Sequence, residues 1–332
     1  MTVLKMAKRI SYQLMHQRNG NVTVKRSLLA YCCLFFLAAF LVTTGSPAQA
    51  KTVGVIMTGN IAFYQAIHEA MLKELAPVIE EKGIEIVLQT PIANPMSWTN
   101  AARKLKGIGS ELIITYGMPA TLATMKVESK IPIVYGGVYS PKSLQIAGKN
   151  ATGISSTVSV RTLLKNLGKL TEFSEVGIVF NKTEKDSILQ AREVKKFEAG
   201  LKFKTTLLNL SNEGYTDKMS TCDAVILTAC SVGMCMPHLP QIAQKAIELK
   251  IPTAAMLEGA EDLVVLTVSP SAQEQGKQVA DIARKILGGV KPADIPPRDP
   301  EQVNIIVNVK LANSLGIEVP ADLLSEATRV IE

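Results

Sequence analysis

The sequence predicts an α/β fold made of two Rossmann-like αβα lobes, each built on a parallel sheet with helices on both faces. Short apolar runs rich in Val and Ile, typical of buried strands, alternate with longer segments whose apolar residues recur at helical spacing. Strands that alternate with helices form parallel sheets, because each helix carries the chain back to the starting edge. The alternation starts again after residue 156, so two lobes follow each other in the chain.

The first lobe is predicted to span residues 51–156. Its predicted strands are 52–57 (TVGVIM), 84–89 (IEIVLQ), 111–117 (ELIITYG) and 131–137 (IPIVYGG). The segment YQAIHEAMLKELAPVIEEK after the first strand has apolar residues at helical spacing, and Gly83 behind it is a typical helix stop. The segments that follow the second and third strands show the same spacing.

The second lobe is predicted to span residues 157–269. Its predicted strands are 175–181, 203–210, 222–228, 251–257 and 262–268, and its predicted helices are 160–170, 184–200 and 239–250. The chain is expected to cross between the lobes near Ser155–Val158 and again near Ser269–Ser271. The hinge is therefore expected to contain more than one segment of the chain.

The C-terminal part begins with a predicted long helix at 271–289, and roughly residues 270–290 are expected to return to the first lobe. The connector KPADIPPRDP (291–300) contains four prolines, which favour a stiff, extended crossing segment. A last strand at 303–309 and a helical piece at 321–332 complete the chain, and the sequence does not assign residues 291–332 to either lobe.

The charge is concentrated at the N-terminus. The net charge is +7, but six of the basic residues and no acid lie in residues 1–26, which leaves +1 for the rest because residues 27–50 carry no charge. A basic start, the apolar stretch 28–42 and the ending GSPAQA predict a signal peptide at residues 1–50 with cleavage before Lys51. The alternative is an uncleaved membrane anchor. The expected location is therefore the periplasm or another extracytoplasmic space, and the body has no basic excess for nucleic acid.

Export changes the cysteine count, since only Cys222, Cys230 and Cys235 would remain. Cys222 adjoins a predicted buried strand and is expected to be an inert thiol. In the loop TACSVGMCMPH (228–238), Cys230 and Cys235 are candidates for a disulfide, and two unpaired thiols are the alternative. The same loop offers a weaker alternative, a soft-metal site formed by Cys230, Cys235 and His238.

Ligands of such sheets collect beyond the carboxyl ends of the strands, where loops lead into helix N-termini. Six loops fit this position: MTGNIAFY, TYGMPA, YGGVYSP, FNKTEKDS, TACSVGMC and AAMLEGAE. The predicted ligand-binding residues on them are Thr58, Asn60, Tyr64, Tyr116, Gly117, Tyr139, Ser140, Asn181, Cys230, Ser231, Met256 and Glu258.

Signatures of catalysis are absent from the sequence. There is no G-x-S-x-G elbow, no P-loop, no HExxH and no G-x-G-x-x-G after the first strand. Residues 51–332 contain only two histidines. The chain is therefore predicted to be no enzyme and to need no cofactor.

Several segments, in this order, resemble the exported substrate-binding proteins of ABC importers whose better-known members take tryptophan or tyrosine-like ligands. They are IPIVYGGVYSP, KNATGISS, VGIVFN, IPTAAM, EQGKQVADIARKILGGVKPADIP and VNVKLANSLGIEVP, and the resemblance runs from about Thr52 to Pro320. It implies the type I periplasmic-binding-protein fold, in which two lobes joined by three crossings close on a small molecule. It also implies a partner, a permease in the inner membrane, and a monomeric binding protein.

The sequence departs from this family in the cleft loops. Relatives often carry an acid–amide pair where Cys230 and Ser231 stand, and an Asp where Ser140 precedes Pro141. An acid is the natural partner of an amino acid's ammonium group, so its absence indicates a less charged, apolar or aromatic ligand, with Glu258 as a remaining source of negative charge. The alternatives are a periplasmic sensor that feeds a membrane receptor and, less favoured, a soft-metal-binding protein.

Overall fold

The computed structural model describes residues 51–128, 130–146, 148, 150–229 and 236–332. Lys51–Glu332 form one compact unit. The predicted signal peptide at residues 1–50, and Cys230 and Cys235 with their predicted disulfide, lie outside the described residues. Within the described ranges, no helix combines the length and the apolar character needed to cross a bilayer.

Strands and helices alternate as predicted. The strands are β1 Lys51–Met57, β2 Ile84–Gln89, β3 Leu112–Tyr116, β4 Ile133–Val138, β5 Ala151–Ser155, β6 Glu175–Phe180, β7 Lys204–Asn209, β8 Ala224–Leu227, β9 Thr253–Ala255, β10 Leu266–Pro270, β11 Val303–Asn308 and β12 Arg329–Ile331. The helices are α1 Ala62–Lys82, α2 Pro95–Gly107, α3 Met118–Val127, α4 Val160–Leu170, α5 Lys185–Lys195, α6 Glu198–Leu201, α7 Leu239–Leu249, α8 Ala272–Leu287, α9 Val309–Leu315 and α10 Ala321–Glu326.

The first lobe is built on a five-stranded sheet with the order β2-β1-β3-β4-β5, and all of its pairs are parallel. Helices α1 and α8 cover one face, and α2 and α3 cover the other. Gly276 lets α8 approach α1 closely, because a Cβ there would lie 2.5 Å from the carbonyl oxygen of Ile67. The two apolar clusters bury the sheet between them.

The second lobe is built on a seven-stranded sheet with the order β12-β11-β10-β9-β8-β6-β7. Strand β11 runs antiparallel to β10, so the C-terminal part adds an antiparallel edge to an otherwise parallel sheet. The prediction of a helix through residues 321–332 was wrong at its end. Helix α10 stops at Glu326, and Arg329–Ile331 pair with β11, where the β-branched Val330 and Ile331 favour a strand. Helix α9 was not predicted, although Asn308 caps its N-terminus.

Three segments connect the lobes. The chain leaves β5 for α4, returns from β10 to α8, and leaves α8 through the proline-rich connector for β11. The connector runs extended beside β5, since the N–H of Arg298 donates to the carbonyl oxygen of Gly153 at 3.0 Å. The hydroxyl of Ser155 donates to the Asp299 carboxylate at 2.7 Å, which fastens the end of β5 to the third crossing.

Candidate ligand-binding cleft

The two lobes contact each other where the loops at the carboxyl ends of their strands meet. Asp186 lies in the first turn of α5 in the second lobe, and the backbone N–H of Met118, the first residue of α3 in the first lobe, interacts with its carboxylate. Leu189 packs against apolar clusters of both lobes, and Leu257 of the second lobe packs against the core of the first. The lobes are therefore closed on each other along one side of the cleft.

An open cavity of about 400 Å³ lies between the lobes. The first lobe lines it with apolar groups from the starts of α2 and α3, namely Trp98, Met118, Pro119, Leu122 and Ala123. The second lobe contributes residues 183–186, which lead into α5. This volume and this mixture of an apolar wall with a few polar groups are typical of small-molecule sites.

Thr58, a predicted ligand-binding residue, organises the apolar wall. Its hydroxyl accepts a hydrogen bond from the N–H of Ala120 in the first turn of α3, at 3.1 Å. Its carbonyl oxygen accepts a hydrogen bond from the indole N–H of Trp98 at 2.8 Å. Thr58 is fully buried, so it fixes the starts of α2 and α3 relative to β1.

Tyr64 and Gly117 are packed together at the centre of this region. Gly117 has a φ of 86°, and a Cβ at this position would lie 2.5 Å from the hydroxyl of Tyr64 and 2.7 Å from that of Thr58. Only glycine fits such a backbone and such contacts. Burial raises the pKa of Tyr64 well above its usual value, and the carboxylates of Asp186 and Glu184 raise it further. Tyr64 therefore stays neutral and faces the carboxylates of the other lobe.

Besides Tyr64, three of the predicted ligand-binding residues lie inside the hydrophobic clusters. Tyr116 is fully buried in the core of the first lobe, and its hydroxyl lies 3.3 Å from Nδ1 of His68. Tyr139 and Met256 are buried in the main cluster of the second lobe. None of these three side chains lines the cavity of about 400 Å³.

Three further predicted residues, Asn60, Asn181 and Ser140, do not line the cavity of about 400 Å³ either. Asn60 is exposed and accepts a hydrogen bond from Gln65. Asn181 is buried, and its side chain donates to Glu184 at 3.2 Å. Ser140 is half-buried near the first crossing, where its N–H donates to the hydroxyl of Thr157 at 2.9 Å.

Glu258 is half-buried, and its carboxylate is engaged by the second lobe itself. It accepts hydrogen bonds from Ser269 at 3.0 Å and from Asn304 at 2.7 Å. These contacts orient the carboxylate toward β10 and β11. Both bonds fall on Oε1, so one oxygen of the Glu258 carboxylate is engaged within its own lobe.

The cysteine loop lies mostly outside the described residues, and with it Cys230, Ser231 and Cys235. His238 at its end contacts the hydroxyl of Tyr215 through Nδ1 at 3.1 Å. Among the described residues, no group of three or more His, Cys, Asp or Glu side chains could hold a metal ion. The prediction that Cys222 is a buried free thiol is confirmed, and burial raises the pKa of that thiol.

Two buried carboxylates in the cleft were not predicted. Glu184 and Asp186 are 8% and 7% exposed, and both line the cavity between the lobes. The pKa of Asp186 is raised from its ordinary value of 3.8 to about 7, first by burial and then by the charge of Glu184, although its own N–H and that of Met118 lower it. Its Oδ1 atom has no hydrogen-bond partner among the described residues. Both acids lie in the predicted cleft loop FNKTEKDS, of which only Asn181 is among the predicted ligand-binding residues.

Comparison with known proteins agrees with this architecture. The profile of the family described as ABC transporter substrate binding protein matches residues 55–331. A tyrosine-binding protein of Clostridioides difficile (strain R20291) is 23% identical over 282 residues, which cover 78% of this chain and 81% of the relative. An uncharacterized protein of Rickettsia prowazekii (strain Madrid E) is 23% identical over 287 residues, covering 83% and 88%.

Solved structures share the fold. An ABC domain from Streptococcus pneumonia in complex with L-Trp superposes with a TM-score of 0.79 at 18% identity, covering 85% of this chain and 100% of that one. The ligand-free, open structure of a Clostridium difficile substrate binding protein with adhesive properties gives 0.68 at 21% identity, covering 85% and 99%. The α/β fold class predicted from the sequence is confirmed. Because the family profile covers nearly all of the described chain, the protein belongs to the ABC transporter substrate binding protein family, as the sequence resemblance indicated.

Proposed function

We propose that the protein is an exported solute-binding protein of an ABC importer, which captures a small ligand with an apolar or aromatic body between its lobes. In this proposal the liganded protein docks on a permease in the inner membrane and performs no catalysis. The observation that carries the proposal is the cavity between the lobes, with an apolar wall from the first lobe and buried carboxylates from the second.

The apolar wall supports the choice of an apolar or aromatic body. Trp98, Met118 and Leu122 line one side of the cavity, and their side chains are large and polarisable. A tyrosine-binding relative and an L-Trp-bound structure of the same fold agree with this class of ligand. We therefore assign ligand contact first to these residues, and we retain Thr58, Tyr64 and Gly117 as the groups that hold them in place.

The three crossings support a hinge mechanism. Side chains such as Leu189 and Leu257 contact the opposite lobe, while each lobe has its own extensive core. A ligand that touches both lobes stabilises the closed state by its extra contacts in that state. Closure then presents one joint surface of the two lobes to a permease.

A thermal-shift screen of the compact unit Lys51–Glu332 tests the binding function. The panel contains amino acids, aromatic acids, amines, nucleosides and metal ions. A true ligand at 100 times its Kd is expected to add about 2.7 kcal/mol to the free energy of unfolding. Stabilisation by copper or zinc with none by any organic compound would contradict the proposal.

Cell fractionation tests the export. The protein is expected in the periplasmic fraction, and N-terminal sequencing is expected to begin at Lys51. A cytoplasmic protein that retains residues 1–50 would contradict this part of the proposal.

A further inference from the structure

The carboxylate of Asp186 lines the cavity and has one unpartnered oxygen in the described part of the chain. The side chain is 7% exposed, and its Oδ1 atom has no hydrogen-bond partner among the described residues. No ion pair within the described part of the chain involves Asp186. A buried carboxylate is costly unless a donor or a cation meets it. The geometry therefore calls for a cationic group beside Oδ1.

The surroundings of Asp186 are negative rather than positive. The carboxylate of Glu184 is buried close by and raises the pKa of Asp186. The hydroxyl of Tyr64, which α1 contributes beside these carboxylates, stays neutral. Lys126 and Lys185 line the same cavity, but both side chains are exposed at its rim. The inner part of the cavity thus attracts cations and repels anions.

The N-terminus of α3, which would be the natural place for a ligand carboxylate, is already engaged. The N–H of Met118 interacts with the carboxylate of Asp186, and the N–H of Ala120 donates to Thr58. Pro119, which lies between them, has no N–H. Of these three positions, one has no N–H, one donates to Thr58 and one lies beside the negative charge of Asp186, so the N-terminus of α3 is a poor site for an anion.

We propose that the ligand is an amine with an apolar or aromatic body and no carboxylate, and that its ammonium group binds Oδ1 of Asp186. An ammonium group gives the buried carboxylate a charge-assisted partner, and the apolar body lies against Trp98 and Met118. The carboxylate of an amino acid would lie beside Asp186 and Glu184, and the N-terminus of α3 is a poor site to receive it. This inference rests on the proposed binding function and narrows its ligand class.

Calorimetric titration with matched pairs tests the inference. The pairs are tryptamine with tryptophan, tyramine with tyrosine, and phenethylamine with 3-phenylpropionate, each titrated into the compact unit Lys51–Glu332. Each amine is expected to bind at least about 10-fold more tightly than its partner. Equal or tighter binding of the carboxylate-bearing partners would overturn the inference and leave the proposed function standing. If no compound of the pairs binds, the inference fails, and the proposed function fails with it only if the broad screen is also negative.

Variants separate the charge of Asp186 from the general shape of the cleft. Asp186→Asn is nearly isosteric and is expected to weaken amine binding by about 10- to 100-fold and to narrow the preference for amines over amino acids. Asp294→Asn, the same change at an exposed site of the first lobe, is expected to leave both affinities unchanged. Thermal unfolding in the absence of ligand confirms that both variants fold. Unchanged amine affinity in folded Asp186→Asn would overturn the assignment of this residue.

Discussion

The two sides of the cleft differ in what they offer a ligand. The first lobe contributes apolar side chains and the start of α3, where the N–H of Ala120 already donates to Thr58. The second lobe contributes the carboxylates of Glu184 and Asp186, and one oxygen of Asp186 has no partner among the described residues. Among the buried groups that line the cavity, the first lobe thus supplies most of the shape and the second lobe supplies the charge. Only the closed protein presents both, which gives a physical reason for ligand binding to favour closure.

The largest expected effect concerns the wall of the first lobe. Trp98→Ala should lower the free energy of unfolding by about 3–5 kcal/mol, because it empties a buried site and removes the hydrogen bond to Thr58. Trp98→Phe keeps an aromatic ring and should cost clearly less. Chemical denaturation measures both. A loss below about 1 kcal/mol for Trp98→Ala would show that this side chain does not hold the wall.

The next effect concerns the junction of Tyr64 with α3. Gly117→Ala should cost about 2–4 kcal/mol, because it adds left-handed backbone strain to a clash with Tyr64 and Thr58. Gly109→Ala is the matched control. Its φ of 74° is also left-handed, but a Cβ there has no heavy atom within 4 Å. Denaturation curves should show a clearly larger loss for Gly117→Ala, and equal losses would mean that the close packing around Gly117 is unimportant.

The pH should change the fraction of ligand-free molecules in which the two lobes are closed. In the proposed hinge mechanism, closure buries Asp186 beside Glu184 and Tyr64, and the pKa of Asp186 in this structure is about 7, above the ordinary value of 3.8. The closed state therefore binds a proton more strongly, so closure is favoured as the pH falls and weakened as it rises through about 7. Small-angle scattering should give a smaller radius of gyration at about pH 5.5 than at about pH 8.5.

The control for this effect is Asp186→Asn, which cannot titrate. Its radius of gyration should change much less between the two pH values than that of the unaltered protein. A radius that is independent of pH in the unaltered protein would contradict the link between Asp186 and closure.

The smallest effect concerns Glu258, the acid singled out from the sequence. Its carboxylate already accepts hydrogen bonds from Ser269 and Asn304. Glu258→Gln should therefore change ligand affinity by less than about 3-fold, far less than Asp186→Asn, and should cost about 1 kcal/mol of stability at most. A larger loss of affinity than that of Asp186→Asn would move the charge-recognition site to Glu258.

Much of the fold follows from local patterns. The alternation of apolar strands and amphipathic helices predicted the order of the elements, and Gly83 does end α1 in a left-handed conformation. The short strand Arg329–Ile331 was missed, because three residues give too little periodicity and the strand depends on β11 as its partner. Local pattern is thus a good guide to long elements and a poor one to short edges.

The site was harder to predict than the fold. The sequence predicts Thr58, Tyr64 and Gly117 as ligand-binding residues; the structure packs these three together, and their contact with a ligand stays a prediction. Glu184 and Asp186 are not among the predicted residues, because an acid at the start of a helix is ordinarily solvated. Whether Asp186 faces water or the N-terminus of α3 depends on how the two lobes meet, and no local pattern contains that information.

A crystal structure with the organic compound that gives the largest thermal stabilisation is the most direct test of where the ligand binds and which residue holds its charged group. We expect the compound to lie between the lobes, with its apolar body against Trp98 and Met118. Its cationic nitrogen should lie about 2.7–2.9 Å from Oδ1 of Asp186. A ligand bound outside the cleft, or one whose charged group is held by the first lobe alone, would contradict the division of shape and charge between the lobes.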